Sequence, residues 1–170
     1  MNEYNQKQLG VTEELAGVPM SFDFIPKVLK KAGYVSHQVG KWHIGFFDHD
    51  HVPVGRGFAT SFGYMLGASS HDNRSSQVSH TCGLPVKDLY NSTRIANDTG
   101  GYGFNNVYSA EMYGDIASGI VASHDAATPL FLYMGECGSG FNGHQAADFI
   151  QFLEVLRSDT LLVITHSLPG

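Results

Sequence analysis

The chain has 170 residues, of which 42% are apolar and only 15% charged, and its formal net charge is −6. This composition excludes a disordered chain, because enough apolar surface is available to offset the entropy lost on ordering. The acidic balance excludes a binder of duplex nucleic acid, and no apolar run approaches the roughly 18–20 residues that a membrane span needs.

The first part of the chain predicts an irregular lead-in, a helix and a strand. Residues 1–20 are polar and aperiodic, and they contain no apolar core of a signal peptide, so none is expected. A helix is predicted over residues 22–32, with Ser21 as its N-cap, and a strand over residues 34–42. The apolar residues that carry the helix recur at helical spacing: Phe22, Ile25, Val28 and Leu29.

The rest of the chain predicts a long excursion followed by alternating helices and strands. Residues 44–106 are rich in Gly, His, Asn, Asp and Ser, and they predict a loop with short strands at most. Helices are then predicted over residues 109–123 and 146–157, each followed by a buried apolar strand, at 129–134 and 160–165. Helices alternating with buried strands predict a three-layer α/β/α sandwich with a parallel sheet, in one domain or part of one.

Ligands of such sheets bind beyond the carboxyl ends of the strands, where this chain reads Gly40-Lys41-Trp42-His43-Ile44-Gly45. If the first strand continues through His43, its alternation puts Lys41 and His43 on one face and Trp42 on the other. A cation beside an imidazole suits a tetrahedral oxyanion. Spacing alone leaves open a Lys that reaches solvent and a His that is satisfied by a carbonyl.

Two other segments are weaker candidates for chemistry. The alternating Asp48-His49-Asp50-His51 could offer ligands to a metal ion, but a solvated polar loop is the commoner role of such a segment. Residues 135–140 are glycine-rich, but they match neither a P-loop nor a hydrolase nucleophile elbow, so a flexible turn is the simpler interpretation.

Three acceptor motifs for N-glycosylation fall in the polar excursion, at Asn73, Asn91 and Asn97. One such motif arises often by chance. Three close together favour a protein of the secretory pathway.

The segment around Lys41 resembles a signature of type I sulfatases. That family reads G-K-W-H-L-G where this chain has G-K-W-H-I-G at residues 40–45. The similarity continues through V-P-V-G-R-G-F at residues 52–58 and F-G-Y-M-L-G at residues 62–67, and it is greatest to the arylsulfatase B-like branch. It covers most of residues 18–135, so the chain is identified as a partial sulfatase catalytic domain spanning residues 1–170.

The resemblance implies an alkaline-phosphatase-like fold and hydrolysis of sulfate esters, either small molecules or sulfated glycans. Members of the family use calcium as a cofactor and a formylglycine nucleophile made from the Cys of C-x-P-S-R. Lys41 and His43 would be the catalytic residues of this chain, with Lys41 neutralising the sulfate and His43 assisting the leaving oxygen. A lysosomal or extracellular location is implied as well.

This chain departs from the family pattern at two points. It contains no C-x-P-S-R, and Leu168 and Pro169 replace the Asp and Asn of the family's S-D-N-G calcium motif. Calcium ligands are therefore not expected in this chain, and the chain alone is expected to be inactive. The alternative is a non-catalytic, sulfatase-like protein that binds sulfated or other oxyanion ligands.

Overall fold

The structure is a computed structural model, and it describes residues 17–67, 69–72, 75–76, 86–93, 99–100, 107–137 and 161–168. The predicted helix over residues 146–157 and the acceptors Asn73 and Asn97 lie outside the described residues.

The described residues form two helices and eight strands. The helices are α1 (Ile25–Lys31) and α2 (Ser109–Ser123). The strands are β1 (Val35–Lys41), β2 (Thr60–Tyr64), β3 (Ser75–Ser76), β4 (Val86–Lys87), β5 (Tyr90–Thr93), β6 (Thr99–Gly100), β7 (Leu130–Cys137) and β8 (Leu161–Leu168).

Six of the strands form one sheet, in the order β6-β5-β2-β1-β7-β8. Strands β2, β1, β7 and β8 are parallel to one another, whereas β5 and β6 add an antiparallel edge. The predicted parallel strands are therefore confirmed as β1, β7 and β8. The excursion over residues 44–106 contributes more than expected, because β2 lies inside the sheet beside β1.

The alternation of β7 shows why its sequence is continuously apolar. Leu130, Leu132 and Met134 pack into a cluster with buried residues of α2, whereas Phe131 packs on the other face with Leu29 of α1. Successive residues of a strand point to opposite faces, so both faces of the sheet are covered by a helix. The predicted three-layer α/β/α arrangement is confirmed.

Helix α1 differs from its prediction in where it begins and which side it buries. Phe24 has an extended backbone (φ −88°, ψ 147°), so the helix begins at Ile25 and Ser21 does not cap it. The Phe24 ring lies 6.0 Å from the Trp42 ring. This contact turns Phe24 and Leu29 inward and leaves Ile25 and Val28 about half exposed.

Three glycines stand in register near the carboxyl ends of the three central strands. Gly40 of β1 pairs with Gly63 of β2 on one side and with Gly135 of β7 on the other. Gly40 has a φ of 95°, and a Cβ placed on it would collide with the Gly135 carbonyl oxygen. A Cβ on Gly63 would collide in the same way with the Gly40 carbonyl. The strand backbones can therefore adopt this arrangement only because side chains are missing here.

Across the part of the chain that the structure describes, no helix is both long enough and apolar enough to cross a bilayer.

The glycine row predicts that Gly40→Ala destabilises the fold. The left-handed backbone alone costs an alanine about 1–2 kcal/mol, and the collision with β7 adds to that cost. The control is Gly119→Ala in α2, where a Cβ meets nothing within 4 Å. That change is expected to raise the free energy of unfolding by about 0.5–1 kcal/mol. Denaturant unfolding of both variants measures the difference, and a Gly40→Ala variant as stable as wild type would contradict it.

Candidate functional site

The segment that follows β1 stays attached to the segment that follows β2. The backbone N–H of Trp42 donates to the Tyr64 carbonyl at 2.9 Å, and the backbone N–H of His43 donates to the Met65 carbonyl at 3.1 Å. The two segments therefore leave the sheet together, at its carboxyl edge, where ligands of α/β sheets bind.

Trp42 anchors the turn that carries the candidate residues. Its ring is buried between Phe24 and Phe58, and its Nε1–H donates to the carbonyls of Gly45, at 2.7 Å, and His51, at 3.0 Å. One buried indole thus holds the backbone at two points that follow His43.

His43 has a left-handed backbone with a φ of 56°, the one such non-glycine residue among those described. Strand β1 ends at Lys41, so the condition under which strand alternation would put Lys41 and His43 on one face is not met. A non-glycine residue in this region of φ is strained, and such strain is concentrated at functional sites.

The His43 ring packs directly on the backbone of Gly67. A Cβ on that glycine would lie 2.6 Å from both Cε1 and Nε2 of the ring. Gly67 therefore leaves room for the imidazole, and any larger residue there would displace it.

Lys41 and His43 are close enough to interact electrostatically. Burial lowers the pKa of His43 to about 4, and nearby positive charge, including the Lys41 ammonium, adds to the shift. The imidazole is therefore neutral near pH 7, with one nitrogen donating and the other accepting. A bound anion would counter the positive charge and raise this pKa. The pair can thus hold an oxyanion through the Lys41 charge and a His43 N–H.

A buried polar chain supports Gly40 from inside the sheet. The Gln38 side chain is 1% exposed, and its Nε2 donates to the Gly40 carbonyl at 2.9 Å. The Ser61 hydroxyl donates to Gln38 Oε1 at 2.8 Å. Sequence reasoning missed both residues, because polar side chains within a buried strand show no local pattern of function.

Asp88 is a second buried polar residue that sequence reasoning missed. It is 3% exposed, and its two carboxylate oxygens accept the N–H groups of Met65 and Leu66, each at 2.9 Å. Burial raises the pKa of this carboxyl, although the two hydrogen bonds act in the opposite direction. Asp88 therefore fixes the segment that pairs with the His43 backbone.

The polar cluster at residues 48–51 is used structurally. Asp48 Oδ1 accepts the backbone N–H groups of Asp50 and His51, and it lies 2.6 Å from His51 Nδ1. His51 is buried under the Phe47 ring, whose centroid is 3.9 Å from its own. This cluster closes a turn around the carbonyl that binds Trp42.

The residues that the structure describes do not fit a calcium site. They contain no group of three or more His, Cys, Asp or Glu side chains that could hold a metal. Calcium in proteins takes 6–8 oxygen ligands. We therefore assign no step of the chemistry to calcium on these residues.

Arg56, in the V-P-V-G-R-G-F segment, is fully buried and holds the loops around the turn together. Its guanidinium donates to the carbonyls of Val18 and Pro19 and lies 4.6 Å from the centroid of the Phe24 ring. The Val18 N–H in turn donates to the Ile44 carbonyl at 3.0 Å. The motif therefore serves the scaffold of the site.

Of the three predicted glycosylation acceptors, Asn91 lies within the described residues. It is exposed on β5.

The shifted pKa predicts how His43 titrates. The His43 ring should lose its proton near pH 4 rather than near 6.5, the ordinary value for histidine. The unfolded chain then binds more protons than the folded one between these values. The contribution of His43 to the free energy of unfolding is thus complete above pH 6.5 and is lost as the pH falls towards 4.

An NMR titration of the imidazole Cε1–H signals measures this pKa. His43→Gln assigns the signal, and His37→Gln, whose ring hydrogen-bonds Thr60, serves as a control that leaves it in place. A His43 midpoint near 6.5 would contradict the prediction.

Comparison with known proteins places this chain in a family. The sequence profile of the family described as Sulfatase matches residues 1–143. Mouse arylsulfatase J is 39% identical over 117 residues, which are 69% of this chain and 19% of that protein. Human N-acetylgalactosamine-6-sulfatase is 49% identical over 51 residues, covering 30% of this chain and 10% of that protein. The chain thus spans about a fifth or less of these relatives.

A solved structure shows the same fold. The crystal structure of Ps i-CgsB superposes with a TM-score of 0.67 at 17% identity, covering 89% of this chain and 41% of that one. The alkaline-phosphatase-like α/β fold is thereby confirmed for the part of it that this chain spans. With the family profile matching more than half of its residues, the chain belongs to the sulfatase family.

Proposed function

We propose that this chain carries part of the substrate site of a sulfuric ester hydrolase, in which Lys41 and His43 bind the sulfate group. The observation that carries the proposal is the turn at residues 40–45. It carries a lysine and, two residues on, a strained and neutral histidine that is close enough to feel the lysine charge, at the carboxyl edge of a parallel sheet.

The two residues would have different tasks. The Lys41 ammonium offsets the negative charge of the sulfate group. It also offsets the negative charge that develops on the leaving oxygen as the ester bond breaks. The neutral His43 donates a hydrogen bond to a sulfate or ester oxygen. The bound anion raises the pKa of His43, so that the ring can take up a proton from water; it then transfers this proton to the leaving oxygen as the ester bond breaks and returns to its neutral form.

The substrate class is proposed as sulfate esters, either small molecules or sulfated glycans. One relative is human N-acetylgalactosamine-6-sulfatase, and Ps i-CgsB has been crystallised with k-i-k-neocarrahexaose. In the family, calcium would supply further charge neutralisation at the sulfate, on ligands other than the residues described. A secretory location is proposed on the three glycosylation acceptors, with the exposed Asn91 as the one to test.

A second candidate function is the binding of oxyanions without catalysis. It is favoured by Leu168 and Pro169, which stand where the family has Asp and Asn. Leu168 is also the last residue of β8, so the strand extends to this position. A protein of this kind would keep Lys41 and His43 as an anion site.

Binding of inorganic sulfate tests the site that both functions share. Addition of sulfate at neutral pH should raise the pKa of His43 and shift its imidazole signal, with saturation. Lys41→Ala should weaken the binding roughly tenfold, since a charged partner of an anion is lost. Lys30→Ala removes the same charge from an exposed position at the end of α1 and should leave sulfate affinity unchanged. Equal losses in the two lysine variants would show that only net charge matters.

A hydrolysis assay tests whether the chain can act without the nucleophile motif of the family. The purified chain, which contains no C-x-P-S-R, should release no product from an aryl sulfate in the presence of calcium. The measurement is a colorimetric assay over a range of pH. Turnover that Lys41→Ala abolishes would show instead that these residues suffice for catalysis.

A further inference from the structure

We infer that Asp88 is the positioning residue of the site, and that it sets the place of the His43 ring through the segment Met65–Gly67. The inference rests on the proposed function in so far as His43 binds the sulfate. It assigns to Asp88 no contact with the substrate.

Asp88 holds two consecutive peptide groups of the neighbouring segment. Each of its two carboxylate oxygens accepts one of two consecutive backbone N–H groups, those of Met65 and Leu66. Two bonds to adjacent peptides define both the position and the direction of a segment, which a single bond would leave free to rotate. Because Asp88 is buried, water does not compete for these bonds.

That segment in turn contacts His43. The Met65 carbonyl accepts the His43 N–H at 3.1 Å, while the Gly67 backbone lies against the imidazole. One short segment thus touches His43 at its backbone and at its ring. A left-handed histidine needs such support, because this conformation persists only where the surroundings hold it.

The other buried polar residues of the site bind other backbone groups. Gln38 and Ser61 hold the Gly40 carbonyl, and Trp42 holds the carbonyls of Gly45 and His51. The two peptide groups that Asp88 holds accept, through their carbonyls, the backbone N–H groups of Trp42 and His43, and His43 is the candidate residue of this pair. Loss of this carboxylate should therefore change the position of His43.

The test is Asp88→Asn in the full chain, with two readouts. The amide oxygen can accept one of the two N–H groups, but its NH2 faces the other, so a buried donor loses its partner. We expect the His43 imidazole signal to move, its titration midpoint to rise from about 4 towards 6.5, and the affinity for inorganic sulfate to fall roughly tenfold. A His43 signal and midpoint that match wild type would overturn the inference.

Two controls separate positioning from a general loss of stability. Asp125→Asn makes the same chemical change where a carboxylate accepts the Ala127 N–H at 3.0 Å, in the turn before β7. Val121→Ala removes buried methyl groups from α2, in the cluster that also contains Leu89. Neither variant should move the His43 signal or change sulfate affinity. If Val121→Ala moves both as far as Asp88→Asn does, the role of Asp88 is structural only and the inference fails.

The design also distinguishes the inference from the function on which it rests. If wild type shows no saturable response to sulfate, the proposed function is wrong, while the His43 midpoint in Asp88→Asn still decides the positioning role. If Asp88→Asn does not fold, Gly67→Ala tests the same path from its other end, because its Cβ would press on the ring. A His43 signal unchanged by Gly67→Ala would then overturn the inference.

Discussion

At Gly40 the backbone of β1 lies so close to β7 that no Cβ fits between them, and Gly63 repeats this restriction between β2 and β1. The remaining features of the site depend on this approach of three strands. It brings the carboxyl ends of β2, β1 and β7 to one level, and the positive φ of Gly40 redirects the chain just before Lys41. A parallel sheet usually gains from large branched side chains, so three glycines in register give up packing area in order to shape the edge.

The turn beyond that edge is held by buried groups rather than by its own sequence. Trp42 contributes apolar area on the α1 side and two hydrogen bonds to the turn, so a single ring both packs and orients. Asp88 and Gln38 add three more bonds to backbone groups. With so many contacts the strained conformation of His43 is maintained, and the imidazole remains neutral beside a lysine. A site prepared in this way has little rearrangement left to make when an anion enters.

The loops that surround the turn owe their positions to polar and charged residues. Asp48 and His51 form a carboxylate–imidazole pair, and Arg56 is a buried guanidinium. Their hydrogen bonds outside that pair go to backbone carbonyls and N–H groups, and His51 and Arg56 each contact an aromatic ring. Charged residues in this part of the chain thus supply hydrogen bonds to backbone groups that irregular structure would otherwise leave unpaired. The same chemistry that suggests a metal site in the sequence serves here to close a turn.

The amino-acid sequence by itself determined the strands β1, β7 and β8, helix α2 and the layered arrangement, because their apolar periodicity is local and strong. Through a six-residue motif it also singled out Lys41 and His43 as candidate site residues, which stays a prediction. Only the tertiary structure decided the inward side of α1, the place of β2 inside the sheet and the end of β1 at Lys41. Each of these depends on a contact between distant segments, such as Phe24 with Trp42 or Gly40 with Gly135. Asp88 and Gln38 were invisible to the sequence for the same reason, since the backbone groups that they bind are brought to them by the fold.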